Sequence, residues 1–219
     1  MTFSIEQFKA AIGSRGGLMR DNRFVVSMGI PKVMQGLDAS FGLLPDLPDN
    51  VTAGLSAMDI ARDLEFWAET IAVPGVQLAT NAIKRWTYGP DEKRPFSQLY
   101  APFVVQFNAD ANGDYIRYFN NWLQCIMPHD WYTTTARSRS NYGGRMWEVE
   151  YKSNYAVDIT IAVLNVAGEI VETYILKEAF PSQISDIPMS YSSTNQNVKF
   201  VVNFEYLDWT TTTITPSAV

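Results

Sequence analysis

Residues 155–176, with the sequence YAVDITIAVLNVAGEIVETYIL, decide the fold class of this chain. Apolar residues occupy every second position from Tyr155 to Val163, which is the period of a strand with one buried face. Asn165 to Gly168 supplies turn residues between this run and a second one over 169–176. The stretch therefore predicts an antiparallel hairpin with one side packed on a core.

The same alternation recurs at four other places, so the prediction of sheet extends along most of the chain. The alternating runs are residues 24–30, 103–108, 147–151 and 198–206. Many short alternating runs separated by polar turns are typical of an antiparallel β-sandwich or barrel. The predicted fold is therefore mainly β.

One long helix interrupts the strands. Asp114 can cap its start, Pro128 ends it, and an apolar stripe recurs at helical spacing between them. We expect this helix to cover an open end or face of the sheet and to bury the stripe, which consists of Tyr115, Phe119, Trp122, Leu123 and Ile126.

The chain divides into an arm and one domain. Residues 1–22 predict an arm with a short helix, because Ser4 and Gln7 stand at capping-box spacing ahead of Ile5, Phe8 and Ile12. We interpret this arm as a packed lid. Residues 23–219 form a single β domain, with an irregular acidic insertion over about 31–62 that contains LLPDLPDN.

Composition excludes several classes of protein. The 219 residues are 47% hydrophobic and carry 17 Lys+Arg against 23 Asp+Glu, which argues against a general nucleic-acid-binding surface. One Cys and one His exclude an intrachain disulfide and a four-ligand zinc site. We expect no metal and no cofactor. The sequence shows no membrane span and no signal peptide, so we expect synthesis in a reducing cytoplasm.

Two pairs of residues are candidates for chemistry. Cys125 and His129 are four apart, but Pro128 breaks the helix between them, so we interpret the Cys as structural. Glu148 and Glu150 share one face of a predicted strand. Paired carboxylates can perform acid–base catalysis, although a solvated polar strand face is the commoner explanation for such a pair. A carboxylate-based hydrolase and a β-barrel ligand-binding protein therefore remain open as alternatives.

A second hairpin stands out over residues 78–100. Two strand-like arms flank a Gly-Pro turn, and aromatic and charged side chains are concentrated near it. Exposed aromatics among mixed charges are typical of protein interfaces, and an ordinary edge hairpin is the alternative. The candidate interface residues are Lys84, Arg85, Trp86, Tyr88, Asp91, Glu92, Lys93, Arg94 and Phe96.

The order of these motifs resembles the tail tube proteins of contractile-tailed bacteriophages. That family includes relatives in baseplates, where they start the tube, and in contractile secretion systems. The resemblance covers residues 64–209, with a weaker match at 22–26. It rests on VPGV at 73–76 followed by the hairpin, then FVVQFNAD at 103–110, YIRYFNNW at 115–122 in the helix, VDITI at 157–161, AFP at 179–181 and FEY at 204–206.

The resemblance implies a structural protein and not an enzyme. It implies a subunit that assembles into homohexameric rings, which stack into a hollow tube that conducts DNA without binding it tightly. The implied partners are sheath, baseplate and tail-terminator proteins, in a virion tail assembled in the host cytoplasm. It implies that the hairpin reaches neighbouring subunits and rings. Glu148 and Glu150 are the candidate lumen residues, and a baseplate ring that starts the tube is the alternative role.

Overall fold

The computed structural model describes residues 4–14, 18–35, 57–84, 89–127, 149–192 and 196–213. The helices are α1 (Ile5–Ser14), α2 (Ala57–Trp67), α3 (Asp114–Ile126) and α4 (Lys152–Tyr155), with a 3-10 turn at Lys32–Met34. The strands are β1 (Phe24–Met28), β2 (Ala68–Ile71), β3 (Val76–Ile83), β4 (Glu92–Tyr100), β5 (Phe103–Asn108), β6 (Val157–Leu164), β7 (Ile170–Ile184), β8 (Lys199–Glu205) and β9 (Asp208–Thr213). The prediction of a mainly β fold is confirmed.

Seven of these strands form two antiparallel layers that share β7. Sheet A consists of β1, β6, residues 170–177 of β7, and β9. Sheet B consists of residues 180–184 of β7, then β8, β5 and β2. At the changeover Glu178 has a φ of 51°, which is unusual for a non-glycine residue, and its N–H donates to Oδ1 of Asp158 at 3.0 Å. One continuous strand therefore belongs to both layers of an open sandwich.

The core lies between the layers, where the alternation expected from the sequence places apolar side chains. Facing residues of β5 and β8 stack in pairs, with ring centroids 6.1 Å apart for Phe103 and Phe204 and 5.6 Å apart for Phe107 and Phe200. The fully buried strand residues on this side are Val26, Phe103, Val105, Phe107, Ile159, Ile161, Leu176, Phe200, Val202 and Phe204.

Helix α3 packs against sheet B and buries most of the predicted apolar stripe, although Leu123 is only half-buried. Phe119 and Trp122 are completely buried, and Ile126 packs against the core. The Phe119 ring lies 5.1 Å from that of Phe107, and Nε1 of Trp122 donates to the carbonyl of Tyr155 at 3.0 Å. The helix thus links sheet B to the short helix α4.

The start of α3 differs from the prediction. Asp114 does not cap the helix, because the residue before it, Gly113, is the N-cap, with a φ of 74°. The capping acceptor is Asp110, whose carboxylate accepts from the N–H groups of Asn112 (3.1 Å) and Tyr115 (3.3 Å). Asp114 is buried instead and pairs with Arg117 at 2.8 Å.

The predicted irregular insertion over 31–62 is wrong at both of its described ends. Its first part holds the 3-10 turn, which buries Met34, and its last part begins α2. Ile60 and Leu64 of α2 are buried in the core, and Trp67 stacks on Tyr115 with ring centroids 4.8 Å apart. Residues 36–56 lie outside the described residues. Within the described part of the chain, no helix is both long and apolar enough to cross a membrane.

Two tyrosines of α3 make the fold sensitive to alkali. Burial raises the pKa of Tyr115 to about 12, with a smaller contribution from the carboxylates of Asp63, Asp110 and Asp114, and burial also raises the pKa of Tyr118. Because the folded state holds the phenols neutral, their contribution to stability is complete below the ordinary pKa of 10. It is lost as the pH rises from 10 towards 12.

We therefore expect Tyr115→Phe to flatten the fall in unfolding free energy between pH 10 and 12. The raised pKa of Tyr115 fixes the direction of the effect: the unsubstituted chain loses stability over this pH range, and the variant should lose less. Urea unfolding at several pH values measures the slope. Tyr191→Phe is the control, since Tyr191 is fully exposed. Equal slopes for Tyr115→Phe and the unsubstituted chain would contradict the assignment.

Candidate assembly surface

The hairpin expected over 78–100 is present as a two-stranded sheet of its own. Strand β3 pairs with β4 from Val76 opposite Tyr100 to Ile83 opposite Glu92. The hairpin continues the edge pair of sheet B, because β2 leads into β3 and β4 leads into β5 through short connections. At its base the hydroxyl of Tyr206 donates to the carbonyl of Ala101 at 2.9 Å. The hairpin is thus attached to the sandwich at one end.

Neither face of this hairpin is buried in the subunit. Apart from Ala79 and Tyr100, all residues of β3 and β4 are exposed. An isolated two-stranded hairpin is marginally stable in water, because it has no core to cover either face. Several large apolar side chains nevertheless point into solvent: Val76 (47% exposed), Leu78 (52%), Ile83 (39%), Phe96 (71%) and Leu99 (49%). Such a surface is typical of one that another chain covers.

The charged residues of the candidate interface lie near the tip of the hairpin. Nζ of Lys84 is 3.5 Å from Oδ1 of Asp91, and Nε of Arg94 is 3.0 Å from Oε1 of Glu92. These exposed ion pairs add little stability, so their role is to set the local charge pattern. Lys93 also lies on β4. Arg85, Trp86 and Tyr88 lie outside the described residues.

Phe96 is among the predicted interface residues, but four other exposed apolar residues of the hairpin are not. Val76, Leu78, Ile83 and Leu99 share the exposed surface with Phe96. The sequence does contain a signal for this exposed surface. Apolar residues are spread along both strands, and they therefore lie on both faces of the hairpin. A hairpin with a single buried face would carry them on one face only.

The structure does not support the interpretation of Glu148 and Glu150 as two carboxylates on one strand face. Residues 149–151 form no strand, and Glu148 lies outside the described residues. The carboxylate of Glu150 accepts from the amide of Asn154 (2.9 Å) and from the N–H of Tyr151 (3.1 Å) at the start of α4. The pattern W-E-V-E-Y therefore precedes a short helix. The predicted strand is thus wrong over the described residues 149–151, whereas the position of Glu148 relative to Glu150 lies outside what the structure describes.

The described residues give little support for a metal site, for chemistry at Cys125 and His129, or for an enclosed ligand pocket. Among them, no three His, Cys, Asp or Glu side chains come together as a metal-binding group. Cys125 is buried on α3, and His129 lies outside the described residues. Aromatic rings make up much of the core formed by the described residues, including those of Phe103, Phe107, Phe119, Trp122, Phe200 and Phe204. An open groove of about 750 Å³ lies instead at the surface, beside Pro188, Met189 and Val198.

The solvent face of sheet B carries a network of polar side chains. Glu69 receives hydrogen bonds from Nζ of Lys199 at 2.6 Å and from the amide of Gln106 at 3.3 Å. The hydrogen bond from Lys199 holds the pKa of the Glu69 carboxyl below its ordinary value. Between β8 and β7, the side-chain amide of Asn203 donates to Oε1 of Gln183 at 3.1 Å. The charges of Glu69 and Lys199 on this face are thus paired with each other.

Comparison with known proteins points to one family. A sequence model of the phage tail tube protein family matches residues 19–212 of this chain. No curated protein sequence matches the chain.

Solved structures that are similar to this chain include chains of three kinds of assembly or protein. A chain of the anti-feeding prophage baseplate, from a 6-fold symmetrised reconstruction, covers 90% of this chain and 97% of its own length, with a TM-score of 0.50 and 12% identity. A chain of the sheath–tube complex of the PVC extracellular contractile injection system, in its extended state, covers 97% and 100%, with a TM-score of 0.47 and 14% identity. An Hcp protein covers 88% and 99%, with a TM-score of 0.43 and 11% identity.

Proposed function

This chain belongs to the phage tail tube protein family, and from that membership we propose that it is a structural subunit of a phage tail tube. In this proposal six copies form a ring, and the rings stack into a hollow conduit for DNA ejection. The partners are further copies of the chain, together with sheath, baseplate and tail-terminator proteins. The subunit resides in the virion tail after assembly in the host cytoplasm, and its role involves no catalysis.

The hairpin β3–β4 is the observation that carries this proposal. It leaves the sandwich as an exposed ribbon with apolar side chains on both strands. A neighbouring subunit or ring can cover both faces of such a ribbon at once, which supports its role as the contact between copies. The proposed interface adds the four missed apolar residues to the charged and aromatic residues at 84–96.

Electron microscopy of the purified chain tests the proposed function. We expect negative-stain images to show rings with a central hole, and stacks of rings as the protein concentration rises. Single rings that never stack would favour the alternative, a baseplate ring protein that starts the tube. Particles that remain monomeric would contradict both roles and revive the ligand-binding alternative.

Removing one exposed aromatic side chain from the hairpin should weaken assembly selectively. We expect Phe96→Gln to raise the dissociation constant of the assembly about 30-fold, because an anchoring aromatic typically contributes about 2 kcal/mol at an interface. Folding should be unchanged, since Phe96 is already 71% exposed in the subunit. Sedimentation velocity over a concentration series measures the constant.

The matched control is Tyr191→Gln in the β7–β8 connection. Tyr191 is also an exposed aromatic residue, but it lies away from the hairpin. Equal assembly by the two variants would show that the hairpin does not form the contact. A lower melting temperature for Phe96→Gln alone would indicate a structural role for this side chain within the subunit.

A conduit must release its cargo, so we expect the free subunit not to bind duplex DNA near physiological salt. The chain carries a net charge of −6, and a hexamer would carry six times that, −36. Several cations on the described surface lie beside acids, as in the pairs Arg62–Asp59, Lys152–Glu178 and Lys199–Glu69. Non-specific binding requires several phosphates to be neutralised together.

A gel shift with duplex DNA in about 150 mM salt measures the binding of DNA by the free subunit. At this salt concentration charges are screened over a Debye length of about 8 Å. Tight, saturable binding would contradict the proposal of a passive conduit. A weak shift that disappears as salt is raised agrees with it, because a few unpaired surface cations produce such a shift at low ionic strength.

A further inference from the structure

The loop that precedes α3 contains the single Asn-Gly pair of this sequence, Asn112-Gly113. In such a pair the backbone nitrogen of the glycine can attack the side-chain amide carbon of the asparagine. The new N–Cγ bond closes a cyclic imide, and the side-chain nitrogen leaves as ammonia with the proton that the backbone nitrogen gave up. Glycine favours this ring closure, because it has no side chain to shield its nitrogen and its backbone is the least restricted.

The side chain of Asn112 is free to reach the nitrogen of Gly113. Asn112 is exposed, and within the part of the chain that the structure describes its side-chain amide makes no hydrogen bond. The amide can therefore turn towards the backbone without losing a partner. A Cβ placed on Gly113 would meet nothing within 4 Å, so the surroundings of the glycine are open as well.

The fold also favours loss of the proton from the nitrogen of Gly113. Nη2 of Arg117 donates to the carbonyl oxygen of Asn112 at 3.2 Å. This oxygen belongs to the same peptide group as that nitrogen, so it shares the negative charge that appears when the N–H is deprotonated. A cationic donor that is already in place stabilises such a charge as it develops. The partial positive charge at the start of α3 acts in the same direction.

Two carboxylates near the loop oppose this anion, but both have partners. The Asp110 carboxylate accepts from the N–H groups of Asn112 at 3.1 Å and Tyr115 at 3.3 Å. The Asp114 carboxylate is paired with Nη1 of Arg117 at 2.8 Å. The N–H of Gly113 itself donates to the carbonyl of Asp110 at 3.2 Å, which is at the long end of the range for such bonds. Only this weak bond has to open before the ring can close.

We propose that Asn112-Gly113 is a self-modification site of the folded chain and that Arg117 promotes the reaction there. Water opens the imide at either of its two carbonyl groups and leaves aspartate or isoaspartate at position 112. The overall change replaces the side-chain amide by a carboxylate, consumes one water and releases one ammonia. The site acts within one copy of the chain, so it does not depend on the proposed function.

The products change the start of α3. Either product adds a carboxylate beside that of Asp110. Isoaspartate also adds a methylene group to the main chain between Asp110 and Tyr115, so the carboxylate of Asp110 can no longer accept from both capped N–H groups in the same geometry. Conversion should therefore weaken the beginning of the helix that supplies Phe119 and Trp122 to the core.

Mass spectrometry of the folded chain, incubated near physiological pH and temperature, tests the site. Cleavage after Phe107 and Tyr115 releases residues 108–115, which contain both Asn112 and Asn108. Asn108 is the internal control, because it ends strand β5 and is followed by alanine. We expect Asn112 to become aspartate and isoaspartate while Asn108 stays an amide. An intact Asn112, or equal conversion at the two positions, would overturn the proposal.

Two variants test the part played by Arg117. Asp114→Asn keeps the guanidinium on the carbonyl of Asn112, whereas Arg117→Ala with Asp114→Asn removes it without leaving a buried charge unpaired. We expect the double variant to convert about tenfold more slowly than Asp114→Asn, which is the effect of one hydrogen bond to a charged group. Conversion that is equally fast or faster in the double variant would overturn the role of Arg117.

The same comparison in concentrated urea separates the contact from the sequence. The hydrogen bond from Arg117 to the carbonyl of Asn112 exists only in the folded chain, so the two variants should convert equally once they are unfolded. A tenfold difference that persists in urea would show that the substitutions act through the sequence and not through this contact. Urea midpoints measured beforehand identify conditions in which both variants are folded.

The melting temperature of the incubated chain tests the consequence for α3. We expect it to fall as conversion proceeds, and to stay constant in Asn112→Gln, whose longer side chain does not close the same ring. Asn112→Asp adds the carboxylate without the extra methylene group and shows how much of the fall is due to charge alone. An incubated chain that is fully converted and melts at its original temperature would overturn the proposed effect on the helix.

Discussion

Replacing Trp122 with alanine should lower the free energy of unfolding by about 3–5 kcal/mol, the largest effect expected for a single residue of this chain. The side chain is completely buried, and its ring packs against Tyr118, Phe119 and Phe204 at centroid distances of 6.0–6.3 Å. Alanine leaves a cavity between the sheets. It also leaves the carbonyl of Tyr155 without the hydrogen bond that Nε1 donates.

Equilibrium unfolding in urea, followed by circular dichroism, measures this loss. Asn120→Ala is the control on the same helix, since Asn120 is exposed and should change stability by less than about 0.5 kcal/mol. Trp122→Phe separates the two contributions, because it retains an aromatic ring and loses only the indole donor. A loss below about 1.5 kcal/mol for the alanine variant would mean that the core collapses around the cavity.

Arg117→Ala should cost about 3 kcal/mol, because it leaves the carboxylate of Asp114 buried without its charged partner. The Asp114 side chain is 3% exposed and its Oδ1 lies 2.8 Å from Nη1 of Arg117. The guanidinium also donates to the carbonyl of Asn112 at 3.2 Å, so it closes the first turn of α3. This expected cost lies near the lower end of the range for breaking a buried ion pair, because the Arg117 side chain retains contact with solvent.

The double variant Arg117→Ala with Asp114→Asn identifies the cause of that loss. Asparagine has nearly the same shape and no charge, so the double variant should recover most of the stability if the unpaired charge is responsible. Urea midpoints for the four members of the cycle give the coupling energy. A double variant no more stable than Arg117→Ala alone would point to lost packing of the arginine stem instead.

The sequence predicts those parts of the fold in which one side of an element is apolar. Strands β5, β6 and β8 and helix α3 each carry an apolar face with a regular period, and each lies where the period places it. The hairpin was found through its turn and its mixed composition. These signals are local, so a single sequence is sufficient to detect them.

Helix α2 and strand β9 show two ways in which such signals fail. The helical period is present in α2, where Ile60, Leu64 and Trp67 follow at i, i+4 and i+7. The Pro-rich run before the helix nevertheless led to an irregular segment being predicted as far as residue 62. The sequence of β9, DWTTTT, has threonine at both alternating positions, so the period is invisible. Its strand conformation is fixed by pairing with β7, which is remote in the sequence.

The candidate interface was only partly predictable for a related reason. Charges and aromatics near a turn are visible in the sequence, and they led to Phe96 and the residues at 84–94. Exposure is a property of the whole fold, so Leu78 and Leu99 look like core residues until the structure places them on an isolated ribbon. The same limit applies to Glu150. The alternation around it predicts a strand, but residues 149–151 form none and lead into helix α4.

The strand shared by the two sheets has a mechanical consequence. Because β7 runs unbroken from Ile170 to Ile184 and is hydrogen-bonded to three other strands, tension applied to either layer passes directly along one backbone into the other. Removing either layer therefore disrupts a strand to which the other layer is hydrogen-bonded. In the proposed tail, a subunit under tension should therefore resist as one unit and unfold in a single step, rather than sheet by sheet.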